Sequence, residues 1–353
     1  MTSPIPLLTF NIAGMGKYLP ENVVSSADLE RRLKLAPHWI ARRTGVLERR
    51  HAQGETQAYM AARAVQMALE QAGLELSDVD ALIGANAAPQ QTIPCTAALV
   101  QRELGALTKG TLEGSACWDI NSTCLSFLVA LHTAALYLSS GVYKTIVVFS
   151  SERASSALNW QQPESAVLFG DAAAAVVLTR GGPGRPCHLR GVRFATFSSG
   201  AEHTRIQGGG TRYPPNDPAT SPSMNLFDMN GPAIFRQAAR LMPPFLDALL
   251  EDAAWTKGAV DVVVPHQASG HALEHLVRGL GFRHEQVFSN LAVRGNCVAA
   301  SIPLALVEAD EAGLLEPHEG GPKKVLCLGT AAGLMLGGLA LELGHSATSG
   351  ENP

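Results

Sequence analysis

The sequence predicts an α/β protein built around mostly buried sheets. Three observations carry that expectation: apolar runs rich in β-branched residues recur along the chain, Ala-rich segments of helical character lie between them, and the second half echoes the first. Alternating strand and helix, with the strands apolar on both faces, is how sheets covered on both sides read.

In chain order, the runs fall at 7–13, 81–85, 116–120, 145–149, 173–179, 260–264, 325–328 and 338–341. Between them, 58–71 reads as helix. The segment 125–140 differs, because its apolar or small residues occupy every side and it stops at Gly141. That is the pattern of a helix packed all round. The echo pairs Asp80-Ala-Leu-Ile-Gly-Ala-Asn with Asp261-Val-Val-Val-Pro-His-Gln, and Thr145-Ile-Val-Val-Phe-Ser-Ser with Lys324-Val-Leu-Cys-Leu-Gly-Thr, around a Gly/Pro-rich break at 181–186. A duplicated α/β half follows, with halves at 1–180 and 187–343 and a frayed tail at 344–353. The segment 208–223 carries three glycines and four prolines, so it reads as a loop placed near a site or an interface.

Composition narrows the function. Hydrophobic residues make up 46% and charged residues 16%, which requires a large core, and a net charge of −4 excludes nucleic-acid binding through a basic surface. No run approaches the roughly 18 uninterrupted apolar residues of a membrane span, and 4–16 lacks the basic flank of a signal peptide. A cytoplasmic protein is the expectation. Six scattered cysteines read as free thiols, and the eleven histidines show no ligand spacing, so neither a metal nor a cofactor is expected.

Three places invite chemistry. In Asp119-Ile-Asn-Ser-Thr-Cys124 a buried strand runs through small polar residues into the apolar helix. Free N–H groups there favour a thiolate and can hold an oxyanion. In Val262-Val-Val-Pro-His266 an apolar strand ends in histidine, at the edge where α/β proteins bind ligands. In Gly295-Asn296-Cys297 a tight turn points a polar side chain toward a helix start. Taken singly, each has an ordinary structural reading: a core thiol, a core histidine, a capping asparagine.

Together, this ordered trio resembles the thiolase superfamily, and most closely the 3-oxoacyl-[acyl-carrier-protein] synthase III family. Supporting motifs are Ile12-Ala-Gly-Met-Gly-Lys-Tyr-Leu-Pro, Trp39-Ile-Ala-Arg-Arg43-Thr-Gly-Val, Phe169-Gly-Asp171, Pro265-His-Gln-Ala, Gly295-Asn296 and Gly333-Leu-Met-Leu-Gly. The resemblance implies a five-layered αβαβα fold of two pseudo-repeated halves and a homodimer. It implies that Cys124 takes an acyl group from acyl-CoA, and that His266 and Asn296 then hold the enolate formed as malonyl-ACP or malonyl-CoA loses carbon dioxide. Two neutral donors in a dry pocket stabilise the charge which that step creates. The backbone N–H groups of Cys124 and Gly333 would form the oxyanion hole, and Trp39 and Arg43 match positions that contact the nucleotide. Seven Lys/Arg against one acid between Arg31 and Arg50 suggest attraction for coenzyme A or carrier phosphates.

The chain departs from the family at substrate-handling positions. Ser156 stands where an adenine-stacking arginine is expected, with Arg153 nearby, and Ser269 and His271 replace an asparagine and a basic residue. Phe169-Gly-Asp171-Ala172 lacks the usual last glycine, with Asp171 read as a turn-fixing residue. At the dimer contact flooring the acyl tunnel, Ile93-Pro94 replaces a bulky aromatic, which suggests a medium-chain or branched primer. Two other readings fit a Cys, His, Asn set: a papain-like protease, opposed by the apolar surroundings of Cys124, and an acyltransferase passing the acyl group to an alcohol, amine or carrier thiol without decarboxylation.

Overall fold

The computed structural model describes residues 7–108 and 114–345. Nine strands form one sheet: β1 (Leu8–Tyr18), β2 (Ala81–Gly84), β3 (Ala116–Asp119), β4 (Thr145–Glu152), β5 (Ala172–Thr179), β6 (Arg185–Thr196), β7 (Val262–Pro265), β8 (Lys323–Ala331) and β9 (Met335–Leu343). Their order is β7-β8-β9-β6-β1-β5-β4-β2-β3. The first-half strands β1 to β5 thus occupy one end and β6 to β9 the other, joined by antiparallel pairing of β1 with β6. Parallel pairs are confined to β2 with β3, β2 with β4, and β7 with β8.

Period-2 alternation sorts the strand residues into layers. Ile146 and Val148 of β4, Val262 and Val264 of β7, and Val325 and Cys327 of β8 all join one central core. Their neighbours Val147 and Phe149 face a second core, and Val263, Leu326 and Leu328 a third. The central core is filled by helices α3 (Ser126–Ser140) and α6 (Ser301–Glu311), introduced here with α1 (Gln57–Ala72), α2 (Thr96–Thr108), α4 (Gly231–Asp252) and α5 (Gly270–Arg278). Helices α1 and α2 cover the outer face of the first half, and α4 covers that of the second. The result is the five-layered αβαβα arrangement of a thiolase-like fold.

Local chemistry explains the key helices. Thr56 caps α1 by accepting the Tyr59 N–H at 3.1 Å, and Gly73 ends it at φ 63°. By length and composition Thr123–Ser140 would suit a bilayer, but Phe127, Leu128, Leu131 and Leu138 of this stretch are buried between the two parts of the sheet. The all-apolar segment is therefore a core helix, as expected from its lack of a polar face.

The sequence reading missed β6. Its Pro186, Gly191 and three arginines mask a period-2 pattern in which Cys187 and Leu189 face inward, and an irregularity opposite Ala340 and Leu341 then shifts the register. The segment 208–223 is irregular and largely exposed, held by the Gly208 N–H on Met224 O at 2.7 Å. The tail expected at 344–353 lies outside the described residues from 346 onward.

Candidate active site

The turn before α3 is strained. Thr123 adopts φ 50°, a left-handed conformation rare for a β-branched residue, and its N–H bonds Asn121 Oδ1 at 2.9 Å. One turn of 3₁₀ helix, Thr123–Leu125, then leads into α3, with Cys124 at its middle. The second half repeats this turn: Val298 sits at φ 52°, its N–H bonds Asn296 Oδ1 at 2.9 Å, and a 3₁₀ turn, Val298–Ala300, leads into α6. Asn121-Ser-Thr-Cys124-Leu-Ser and Asn296-Cys-Val-Ala299-Ala-Ser are therefore twins. The twin asparagines differ in one respect. Asn121 Nδ2 donates to Ala87 O at 2.9 Å, whereas Asn296 Nδ2 makes no hydrogen bond among the described residues, and Asn296 lines a cavity.

His266 is the first residue beyond β7, anchored by its N–H on Leu328 O at 2.8 Å. Its Nδ1 is buried without a protein partner, and burial drives the imidazole down to about 4, so it is neutral. His266 and Asn296 line the same cavity, of about 170 Å³. Gly329 of β8 is wedged between the histidine and the nucleophile turn: a Cβ there would stand 2.7 Å from His266 Cβ and 3.0 Å from Leu125 Cδ2. Across β8, Cys124 packs against the central core, its thiol near the backbone of Ala332. Gly333 follows at φ 141°, in the turn to β9.

An outer cavity of about 1340 Å³ shares Leu168, Met229, Gly231, Phe235, Ser269 and His275 with the inner one. Trp39 and Arg43 line it, the guanidinium 5.1 Å from the indole centroid. His271 also lines the outer cavity, and Ser269 caps α5 by accepting the Ala272 N–H at 3.3 Å. Ile93 is 81% exposed in the single chain. Arg153 and Ser156 line neither cavity, and Ser156 Oγ donates to Arg153 O at 2.8 Å. No residue of 208–223 lines either cavity, so the loop gives no support to a role at this site.

Comparison with known proteins agrees with this layout. Residues 118–194 and 250–343 match the N- and C-terminal parts of the 3-oxoacyl-[acyl-carrier-protein (ACP)] synthase III family. The β-ketoacyl-[acyl-carrier-protein] synthase III of Symbiobacterium thermophilum is 36% identical over 95% of this chain and 98% of its own. That of Geobacillus kaustophilus is 34% identical over 95% and 99%. The chain belongs to the 3-oxoacyl-[acyl-carrier-protein] synthase III family. Among solved structures, the Aquifex aeolicus synthase III superposes with a TM-score of 0.83 at 33% identity, covering 94% of this chain and 99% of that one. The priming β-ketosynthase of the R1128 polyketide pathway gives 0.84 at 26%, covering 98% and 99%.

Two expectations for this family member need correction. The Cys124 thiol is not ionised at rest: burial, and then the Glu152 carboxylate, push it up to about 12, against the smaller opposite effect of backbone hydrogen bonds. The short 3₁₀ turn holds the half-buried cysteine against the central core rather than on a long exposed helix end. The basic stretch is also only partly surface: Arg31, Arg32, Lys34, Arg42 and Arg43 are exposed, and Arg49 and Arg50 turn inward. Arg49 is fully buried, donating to Val24 O, Ser26 Oγ and Val167 O, and Arg50 donates to Pro20 O and Glu21 O. Arg32 stacks on Trp160 at 4.4 Å, and Arg31 pairs with Asp28, leaving Arg43 as the cavity-lining member.

Asp171 does fix a turn, accepting from Ala52 N–H and Ser155 N–H at 2.8 Å each and from Ser155 Oγ at 2.5 Å. Sequence reasoning missed Glu152, a buried carboxyl close enough to Cys124 for its charge to act on the thiol. Its signal was an acid ending the apolar run 145–149 after two serines.

Proposed function

We propose that this protein is a condensing acyltransferase, with Cys124 as nucleophile. The Cys124 sulfur attacks the thioester carbon of an acyl-CoA, the carbon–sulfur bond to coenzyme A breaks, and the cysteine proton leaves with the coenzyme thiol, so the exchange is proton-neutral overall. The backbone N–H groups of Cys124 and Gly333 hold the oxyanion. Malonyl-ACP or malonyl-CoA then loses carbon dioxide, His266 and Asn296 hold the enolate oxygen, and the enolate carbon attacks the acyl-cysteine. Cleavage of the cysteine carbon–sulfur bond releases the 3-oxoacyl product and a Cys124 thiolate, which takes up one proton from solvent to restore the thiol.

The observation that carries this reading is the neutral imidazole of His266 and the carboxamide of Asn296 lining one cavity beside the nucleophile turn. A carboxylate there would oppose the negative charge of the enolate. The comparisons are with ketoacyl synthases, which does not favour the non-decarboxylating acyltransferase. Intact-mass measurement after incubation with a panel of acyl-CoAs tests the first step. Release of labelled carbon dioxide from malonyl-ACP tests the second. An acyl adduct that reacts onward without malonyl consumption would overturn the decarboxylative reading.

The finer assignments belong to the same proposal. Trp39 and Arg43 receive the coenzyme in the outer cavity, and an acyl carrier delivers the extender. The halves are 1–180 and 187–343, and the protein acts in the cytoplasm. It forms a homodimer through the β3 edge, where Trp118, Tyr137 and Tyr143 cluster with centroids 5.6 to 6.2 Å apart beside exposed Leu136 and Val142. Exposed Ile93 floors the acyl tunnel across that contact and admits a medium-chain or branched primer. Comparing Cys124 acylation by acetyl-CoA and octanoyl-CoA checks this, and a strict acetyl preference would refute it.

A further inference from the structure

Glu152 ends β4 with its side chain buried. Its carboxyl accepts the Ala87 N–H at 2.5 Å and lies against the Ala299 backbone. Ala87 touches the Cys124 turn and Ala299 belongs to its twin. Ala87 O accepts from Asn121, which shapes the turn of Cys124, and Ala299 lies in the twin turn set by Asn296. One carboxyl therefore ties the two turns together. In the duplication Ala299 takes the place of Cys124. The chemistry above makes no use of this group.

We propose that Glu152 is a positioning residue for the condensation, bridging the Cys124 turn to the Asn296 turn, and that its charge governs how readily Cys124 ionises. The charged group acting on it is Asp171, at the start of β5, which is itself held by Ala52, Ser155 and His51. The thiols of Cys124 and Cys297 both feel its charge. Burial raises the carboxyl to about 8, so it is neutral below that pH and anionic above, where it opposes a thiolate.

The inference rests on Cys124 as the nucleophile, and the test reads the two ideas separately. The rate of Cys124 alkylation by iodoacetamide, located by peptide mass, is followed from pH 6.5 to 10 in wild type and in Glu152→Gln, which keeps an acceptor oxygen but no charge. The variant is expected to alkylate about tenfold faster at pH 9 and equally at pH 6.5. Glu152→Ala, which removes the bridge, is expected to keep the acyl adduct while malonyl-dependent condensation falls about 100-fold. Superimposable alkylation profiles for wild type and Glu152→Gln, or normal condensation by Glu152→Ala, overturn the proposal. If the alanine variant fails to fold, the glutamine profile decides alone. A wild-type protein that forms no acyl adduct would count against the proposed function while leaving the alkylation reading intact.

Discussion

Gly329→Ala is the most informative single change. Gly329 does not adopt a positive φ, so alanine is compatible with its backbone, and the whole effect comes from where the new methyl goes. It would stand 2.7 Å from His266 Cβ and 3.0 Å from Leu125 Cδ2. Carbon atoms rest about 3.5 to 4.0 Å apart, so one neighbour must retreat by about 1 Å. Overpacking of this kind costs about 1 to 3 kcal/mol of stability, which a large buried core tolerates. Catalysis is less forgiving, because a misplacement of about 1 Å can cost about 100-fold.

The half-reactions show which neighbour moves. If His266 yields, malonyl decarboxylation falls about 100-fold and the acyl adduct still forms. If Leu125 yields, acylation of Cys124 slows as well. The assays are time-resolved intact mass for the adduct and labelled carbon dioxide release for condensation, with a melting curve to confirm folding. Both half-reactions at wild-type rates in a folded variant would refute the placement of Gly329 between histidine and nucleophile.

Other changes have equally definite outcomes. His266 is neutral down to about pH 4 against an ordinary value of 6.5, so between those values the unfolded chain takes up a proton that the native one refuses. Its contribution to stability is complete above about pH 6.5 and declines by about 3 kcal/mol toward pH 4, and His266→Gln should flatten that part of a urea-denaturation series. Glu152 has the opposite sign, since its raised value makes the native state bind the extra proton, so stability falls as pH rises from 4.5 to about 8. Glu152→Gln should gain on wild type across that window in the same series. Arg49→Ala, which abandons the acceptors Val24 O, Ser26 Oγ and Val167 O, should lose about 3 kcal/mol or more by denaturation. Trp39→Ala should raise KM for acyl-CoA about tenfold with kcat unchanged, measured by steady-state kinetics.

Strands with uninterrupted apolar runs were legible because burial on both faces leaves no room for polar residues. The helix Ser126–Ser140 was legible for the same reason. Strand β6 was hidden because arginines, a proline and an irregular register obscure its alternation. Of the site, Trp39, Arg43, His266 and Asn296 were placed on cavity walls from motifs alone. What the sequence concealed was electrostatic: Arg49 looks like part of a basic surface until its burial is seen, and Cys124 looks like an activated thiol until its packing against the core is counted. The twin turns were also hidden, because Asn121-Ser-Thr-Cys124 and Asn296-Cys-Val-Ala299 share only their asparagine, and backbone angles carry the likeness.

That likeness bears on how such a protein can change. One backbone device, used twice, presents a sulfur in the first copy and frees an amide in the second. The left-handed residues Thr123 and Val298 bear no reacting atom, yet each dictates where its neighbours aim. Glycine at either position would ease the strain and loosen the aim together. Evolution could therefore exchange the groups displayed on these two elbows far more freely than the elbows themselves.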